Sequence, residues 1–297
     1  MTAVLVSGGT GLVGRYVVED LLARGYRVKV ASRQAPAPGF FSDEVEHVPL
    51  TLDPDAENSQ AFDDVYHFIH AAFNHVDGRY RGGEGDDPAG FRRNNLEGTI
   101  QLFDAARLAG VRRVVFLSSR AVYDGTQPGT LLSEDRDLKP TTLYGEIKLK
   151  AEQTLAFMSA NEPGFSGTSL RVTGVYGDLR PNKWDGLFAD YLAGRPVPVR
   201  AGSEVHGRDV AAACRMILEA ERAKVAGESF NVSDIVTDTH DILAPLQQAT
   251  GCENALPEHA DRMSVAVMPT DKIRALGWEP GGEALLAKTV TKLAGNF

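Results

Sequence analysis

The segment Val4-Leu-Val-Ser-Gly-Gly-Thr-Gly-Leu-Val-Gly14 constrains this chain more than any other part of it. A short apolar, β-branched run enters a cluster of glycines, and an amphipathic pattern over Leu12 to Arg24 follows. Gly9, Gly11 and Gly14 are spaced G-x-G-x-x-G, and Gly8, Gly11 and Gly14 fit the wider form of the same pattern. Strand, glycine turn and helix in this order make a cradle for a dinucleotide. Gly8 and Gly9 allow the tight turn, Gly11 lets backbone approach a pyrophosphate, and Gly14 lets helix pack on strand. The anion then lies at the helix N-terminus, where free N–H groups and the helix dipole favour it, with Thr10, Leu12 and Val13 completing the cradle.

The first half of the chain repeats this alternation. Short apolar runs over Ala3 to Ser7, Arg27 to Ala31, Tyr66 to Ala71, Val114 to Ser118 and Thr168 to Val172 read as strands buried on both faces. Helical patterns lie between them at Leu12 to Arg24, Asn95 to Leu108 and Tyr144 to Ser159, with Gly25 and Gly110 placed as C-caps. Strand and helix in succession predict an α/β fold, a Rossmann-type doubly wound parallel sheet over 1–172. After Val172 the pattern is irregular and proline-rich, which predicts a small C-terminal substrate lobe over 173–202 and 234–297. The stretch 203–233 is expected to rejoin the large domain, because Ser229 to Val232 again reads as a buried strand. Asn74 to Gly90 reads as a long surface loop of the kind that is functional or mobile.

Charge and composition exclude several classes of function. A formal net charge of −9 disfavours a general nucleic-acid or anionic-membrane binder, so neither partner is expected. No window approaches the ~18 apolar residues of a membrane span, and no secretory leader pattern opens the chain, so a cytoplasmic protein is expected. Cys214 and Cys252 match no metal spacing and read as free thiols. His67, His70 and His75 suggest a metal cluster on paper, but His67 and His70, three apart on a strand, point to opposite faces. No metal is expected.

Two further patterns carry chemistry. The second strand ends Ala31-Ser32-Arg33, with no carboxylate to receive a ribose 2′-hydroxyl. A hydroxyl at Ser32 and a guanidinium at Arg33 suit a 2′-phosphate, which favours NADP over NAD. Tyr144 and Lys148 stand four apart on a predicted helix and share a face. A phenol of pKa ~10 is no base at neutral pH, but a neighbouring ammonium favours its anion. Ser119, just past the strand Val114 to Ser118, falls where such sheets place their chemistry, at the carboxyl ends of the strands.

With the glycine turn, Leu117-Ser-Ser-Arg-Ala-Val-Tyr123 and Tyr144-Gly-Glu-Ile-Lys148 resemble the extended short-chain dehydrogenases/reductases. More narrowly, they resemble the NAD(P)-dependent sugar epimerase/dehydratase family. Asn94-Asn-Leu-Glu-Gly-Thr99, Leu170-Arg-Val-Thr-Gly-Val-Tyr-Gly177 and Val205-His-Gly-Arg-Asp-Val-Ala211 resemble that family's later segments. The resemblance implies that Tyr144 exchanges a proton with a substrate alcohol or ketone. It implies that Lys148 holds the nicotinamide ribose and that Ser119 bonds the substrate oxygen. It places Asn95 and the strand-end residues Ala71, Ala72, Leu117 and Val172 beside the cofactor. Phe73, Arg79, Arg81, Arg120, Gly174 and His206 are the candidates to meet substrate, though Glu84, Asp86 and Asp87 could pair off the two loop arginines, and His206 could equally join the lobes. A homodimer through the helices near Asn95 and Tyr144 is implied as well.

The sequence also departs from the family pattern. Gly202 and Ser203 stand where members acting on nucleotide-diphosphate sugars carry an Arg-Asp pair, with Arg200 the nearby cation able to compensate. The lobe reads as short. Both points favour a small sugar-like or sugar-acid substrate and net oxidation or reduction of its hydroxyl or ketone. The alternative is a sugar or nucleotide-sugar epimerase with no net redox change. A non-catalytic NADP sensor ranks below both, because Ser119, Tyr144 and Lys148 are all present. A dehydratase is disfavoured by Arg120 and Ala121, where an Asp-Glu pair would be needed.

Overall fold

The computed structural model describes residues 3–75, 83–127 and 130–295. Seven parallel strands form the main sheet: β1 (Ala3–Ser7), β2 (Arg27–Ser32), β3 (Glu46–Pro49), β4 (His67–His70), β5 (Arg113–Ser119), β6 (Ser166–Val172) and β9 (Ser229–Val232). Their order is β3-β2-β1-β4-β5-β6-β9. The chain runs outward from β1 to β3, then returns to place β4 against β1, which opens a crevice at the switch between them.

Side chains alternate across each strand, and helices cover both faces, so both sets are apolar. Val4 and Val6 pack on one side with Val17, Val18 and Leu21 of α1 (Gly14–Ala23). Leu5 packs on the other side with Phe68, Phe103 and Phe116. Burying each such side chain stabilises the fold by about 1.5–3 kcal/mol. Two short segments, α2 (Pro88–Arg92) and a π turn at Arg93–Glu97, lead into α3 (Gly98–Leu108). The helix expected to run unbroken from Asn95 is therefore wide and irregular at its start. The catalytic candidates ride on α4 (Leu143–Asn161), whose first turn is capped by Thr142 Oγ1 accepting from Gly145 N. Gly25 and Gly110 adopt positive φ at the helix ends where C-caps are expected.

A second sheet, ordered β10-β8-β7, contains β7 (Gly174–Tyr176), β8 (Ala201–His206) and β10 (Ile235–Asp238). It packs with α5 (Asp185–Leu192), α8 (Thr239–Thr250) and α10 (Gly282–Ala294) around Tyr176, Trp184, Phe188 and Leu243. The short helices α7 (Arg222–Val225) and α9 (Asp271–Arg274) flank β9 and β6. The return to the main sheet starts later than expected. β8 pairs with β7 and β10, and the chain rejoins the large layer only at α6 (Gly207–Glu219), which packs on α1. No helix among the described residues is long and apolar enough to cross a membrane.

Three buried histidines give the fold an acid limit. Burial lowers His67 to about 4, His70 to about 3 and His206 to about 4, from the usual 6.5. Each stays neutral when folded but takes a proton when unfolded, so stability is lost as pH falls below about 6.5. Asp209, raised by burial to about 6, binds a proton in the folded state and offsets one of the three. Unfolding free energy is expected to fall by about 2–3 kcal/mol per pH unit between pH 6 and 5. Urea titrations at pH 7, 6 and 5 measure it; a flat profile would contradict neutral burial.

Candidate active site

A cavity of about 1540 Å³ opens at the carboxyl ends of β1, β2, β4, β5 and β6, and the lobe closes its far side. The glycine turn forms one end. Gly8 has φ +70°, and a Cβ there would lie 2.7 Å from the Ala72 backbone nitrogen. A Cβ on Gly14 would lie 2.7 Å from Gly9 Cα and closer still to Gly8 O. No side chain caps the start of α1, and Gly11, Leu12 and Val13 lie just before it on the cavity wall. This arrangement fits a dinucleotide pyrophosphate. Gly8, Thr10, Gly11, Leu12, Val13, Gly14, Ser32, Arg33, Ala71, Ala72, Leu117 and Val172 all line the cavity. Gly9 does not line it: it faces Val30 and Val18, where a larger residue would collide.

Ser119, Tyr144 and Lys148 line the same cavity. Lys148 is 5% exposed, and its ammonium donates to Leu117 O at 2.7 Å. It lies 4.5 Å from the Phe73 ring centre, 4.7 Å from Phe116 and 5.8 Å from Tyr144. Burial pulls its pKa down to about 7, against the attraction of Glu152. Phe73 meets Tyr144 edge to face, with ring centres 5.0 Å apart. Phe73 thus packs on the Tyr144–Lys148 pair as well as lining the cavity. Ser119 Oγ accepts from Ala121 N at 3.2 Å, which leaves its own hydrogen to donate outward.

Other candidates sit differently from expectation. Asn95 is 1% exposed and off the cavity wall. Its side chain accepts from Asn74 N and donates to Asn74 O, both at 2.7 Å, and donates to Phe91 O. It clamps the root of the loop after β4. His206 is fully buried and does not line the cavity; its Nδ1 accepts from Arg208 N, and its ring packs on Tyr16 and Tyr176. It joins sheet and lobe, because its place at the start of α6 turns it into the interior. Arg79 and Arg81 lie outside the described residues. Arg120 and Gly174 line the cavity, and Arg120 donates to Ala266 O.

Of the lobe's contribution the sequence singled out Arg200 and Gly174 and missed the rest. Lys183, Arg200 and Glu204 line the far wall, with Glu204 paired to Lys183 and 3.8 Å from Arg200. Gly174 leaves space for that carboxylate, since a Cβ would come within 2.6 Å of it. Ser264, Val265 and Ala266 complete the wall. No local motif marks these positions. His67 and His70 do diverge: His70 bonds Ser7 and Thr99, while His67 packs against Tyr66. Among the described residues, His240, Asp241 and His259 converge at ligand distances, but Arg262 pairs with Asp241, and none of the three lines the cavity.

The model of the NAD dependent epimerase/dehydratase family matches residues 4–233. The chain belongs to that family. This family member is 30% identical over 181 residues to the UDP-glucose 4-epimerase of Bacillus subtilis, a match covering 59% of this chain and 53% of that protein. It is 29% identical over 313 residues to the UDP-glucose 4-epimerase of Mycolicibacterium smegmatis, covering 99% of this chain and 97% of that one. The crystal structure of Thermus thermophilus UDP-glucose 4-epimerase complexed with NAD matches with a TM-score of 0.79 and 25% identity over all of both chains. The matches to the M. smegmatis and T. thermophilus proteins run over the lobe as well as the large layer, whereas this chain spans about half the length of the B. subtilis protein. The T. thermophilus complex holds NAD, and a preference for NADP is not shown.

Proposed function

We propose that this family member is an NAD-dependent epimerase of a nucleotide sugar, with a sugar hydroxyl oxidised and then restored from the other side. One observation carries this reading before the others: similarity runs end to end with the M. smegmatis UDP-glucose 4-epimerase. The cavity supports it. A single small ligand typically fills about 300–1000 Å³, and about 1540 Å³ leaves space for a second molecule beside a dinucleotide. The alternative of net oxidation on a free sugar rested on lobe size and the missing Arg-Asp pair. Arg200 and Lys183 supply cations on the same wall.

Bound NAD would supply the acceptor and donor of the hydride. Tyr144 takes the hydroxyl proton and later returns it. Lys148, kept in place by Leu117 O and three rings, favours the phenolate electrostatically. Ser119 donates to the substrate oxygen as charge develops there. Arg33 is exposed at the ribose end and would receive a 2′-phosphate if NADP binds, so both cofactors belong in one titration. Leu108 on α3 is 71% exposed and Phe157 on α4 is 68% exposed; a homodimer through these helices would cover them.

Incubation with NAD and UDP-glucose, followed by chromatography, is expected to yield the C4 epimer with no lasting rise at the reduced-nicotinamide absorbance band. Stoichiometric reduced cofactor would restore the dehydrogenase reading. No conversion, across a panel of nucleotide sugars and free sugars, would remove both.

A further inference from the structure

One turn beyond Lys148 on α4, and on the same face, stands Glu152, 4% exposed. Its carboxylate accepts from Arg171 Nε at 3.2 and 3.1 Å and from Nη2 at 2.8 Å, and it accepts from the Ser118 hydroxyl. Ser118 precedes Ser119 on β5, and Arg171 lies on β6. Arg171 Nη1 donates to Tyr123 Oη at 2.8 Å and to Glu134 O at 3.2 Å. Tyr123 Oη donates to Asn231 Oδ1 at 2.8 Å, and Asn231 Nδ2 donates to Leu132 O and Pro269 O. A continuous buried network thus runs from the catalytic helix through two strand ends to the segment that supplies Ser264 to Ala266.

An ion pair this deep needs a reason beyond stability. Apolar residues of equal volume would hold the same space at no loss and often with a gain. What they could not supply is a fixed negative charge behind Lys148. Among the described residues, the other groups set against that ammonium are apolar or neutral. Phe73, Phe116 and Tyr144 present rings, Leu117 presents a carbonyl, and His70 on β4 is kept neutral by burial. Glu152 is the carboxylate that opposes the desolvation of Lys148. Arg171 pairs with Glu152, and the Tyr123 phenol behind it is pushed up to about 12 by burial and stays neutral.

We propose that Glu152 is a positioning residue that keeps Lys148 an ammonium and ties it, through Ser118, to the strand end that carries Ser119. The catalytic part of this rests on the Tyr144–Lys148 reading above; the electrostatic part does not. The ammonium is the form that favours the Tyr144 phenolate, so loss of Glu152 should remove activity from the alkaline side first.

The test uses full-length protein labelled with lysine carrying ¹³C at Cε, the Lys148 resonance being assigned through Lys148→Met. Glu152→Gln is expected to lower the Lys148 titration midpoint by about one pH unit. Glu152→Gln/Arg171→Met, which leaves no uncompensated buried cation, is expected to move it in the same direction with little loss of Tm. Glu152→Asp, which keeps the charge, should restore much of the midpoint. The alkaline limb of kcat for UDP-glucose should move down in step, with KM nearly unchanged. A folded double variant with the wild-type midpoint overturns the proposal, and so does a lower Tm with an unmoved limb. If the midpoint falls but Lys148→Met keeps wild-type kcat, the electrostatic assignment stands and the catalytic reading of Lys148 fails.

Discussion

Tyr144→Phe should turn over nucleotide sugar about 10²–10⁴-fold more slowly than the parent, the range expected when a positioned proton-transfer group is removed. NAD affinity should stay within about twofold. The substitution removes one oxygen and keeps the ring that meets Phe73 at 5.0 Å and lies 5.8 Å from the Lys148 ammonium. Lys148 keeps its bond to Leu117 O, so the cavity wall holds its shape. Chromatographic rate assays and calorimetric NAD titration on one preparation separate the two effects. A variant turning over within tenfold of the parent would move the proton transfer to another group. A variant that loses NAD would make Tyr144 a binding residue.

Gly14→Ala is expected to be the most damaging small substitution in the cradle. The new methyl would meet the Gly9 Cα at 2.7 Å and the Gly8 carbonyl closer still. These are backbone atoms, and Gly8 is itself fixed against Ala72, so no side chain can swing aside. Forced overpacking of this kind costs about 3 kcal/mol, about 5 °C in Tm for a chain of this size. NAD binding should weaken at least about 100-fold, because relief requires α1 to move away from β1. Gly25→Ala provides the comparison. Unlike that of Gly14, its φ is positive, at +78°, but nothing lies within 4 Å of the added carbon, so about 1 kcal/mol is expected. Thermal melts with and without NAD measure both. Equal shifts for the two variants would mean that the close approach at Gly14 is not what the turn requires.

The large layer was legible because its signals are local. Val4 to Gly14 places strand, turn and helix within eleven residues, and β1 and β9 fall on the predicted residues. Helical periodicity put Tyr144 and Lys148 on one face of a helix, and the roles proposed for them come from the resemblance to the family. The second sheet was not legible. Gly174–Tyr176, Ala201–His206 and Ile235–Asp238 are short, mix glycine and charge with apolar residues, and gain their order from pairing across distant sequence. The Lys183–Glu204 pair depends on that pairing and so left no trace. Asn95 and His206 stand out by their motifs, but the motifs say nothing about direction. Asn95 turns to the chain beside it, and His206 turns into the core. Glu152 carries no signal of its own, because a glutamate in a helix ordinarily faces water.

The clamp that Asn95 makes on Asn74 divides the protein for anyone who would redesign it. Upstream, Phe73 is packed against Tyr144 and Lys148 and cannot be changed without disturbing the chemistry. Asn74 is fastened at both its N–H and its carbonyl, so mechanical disturbance from the following segment ends there. Libraries aimed at new sugar acceptance should therefore keep Phe73, Asn74 and Asn95 unchanged, along with Asp87, whose carboxylate caps the next helix.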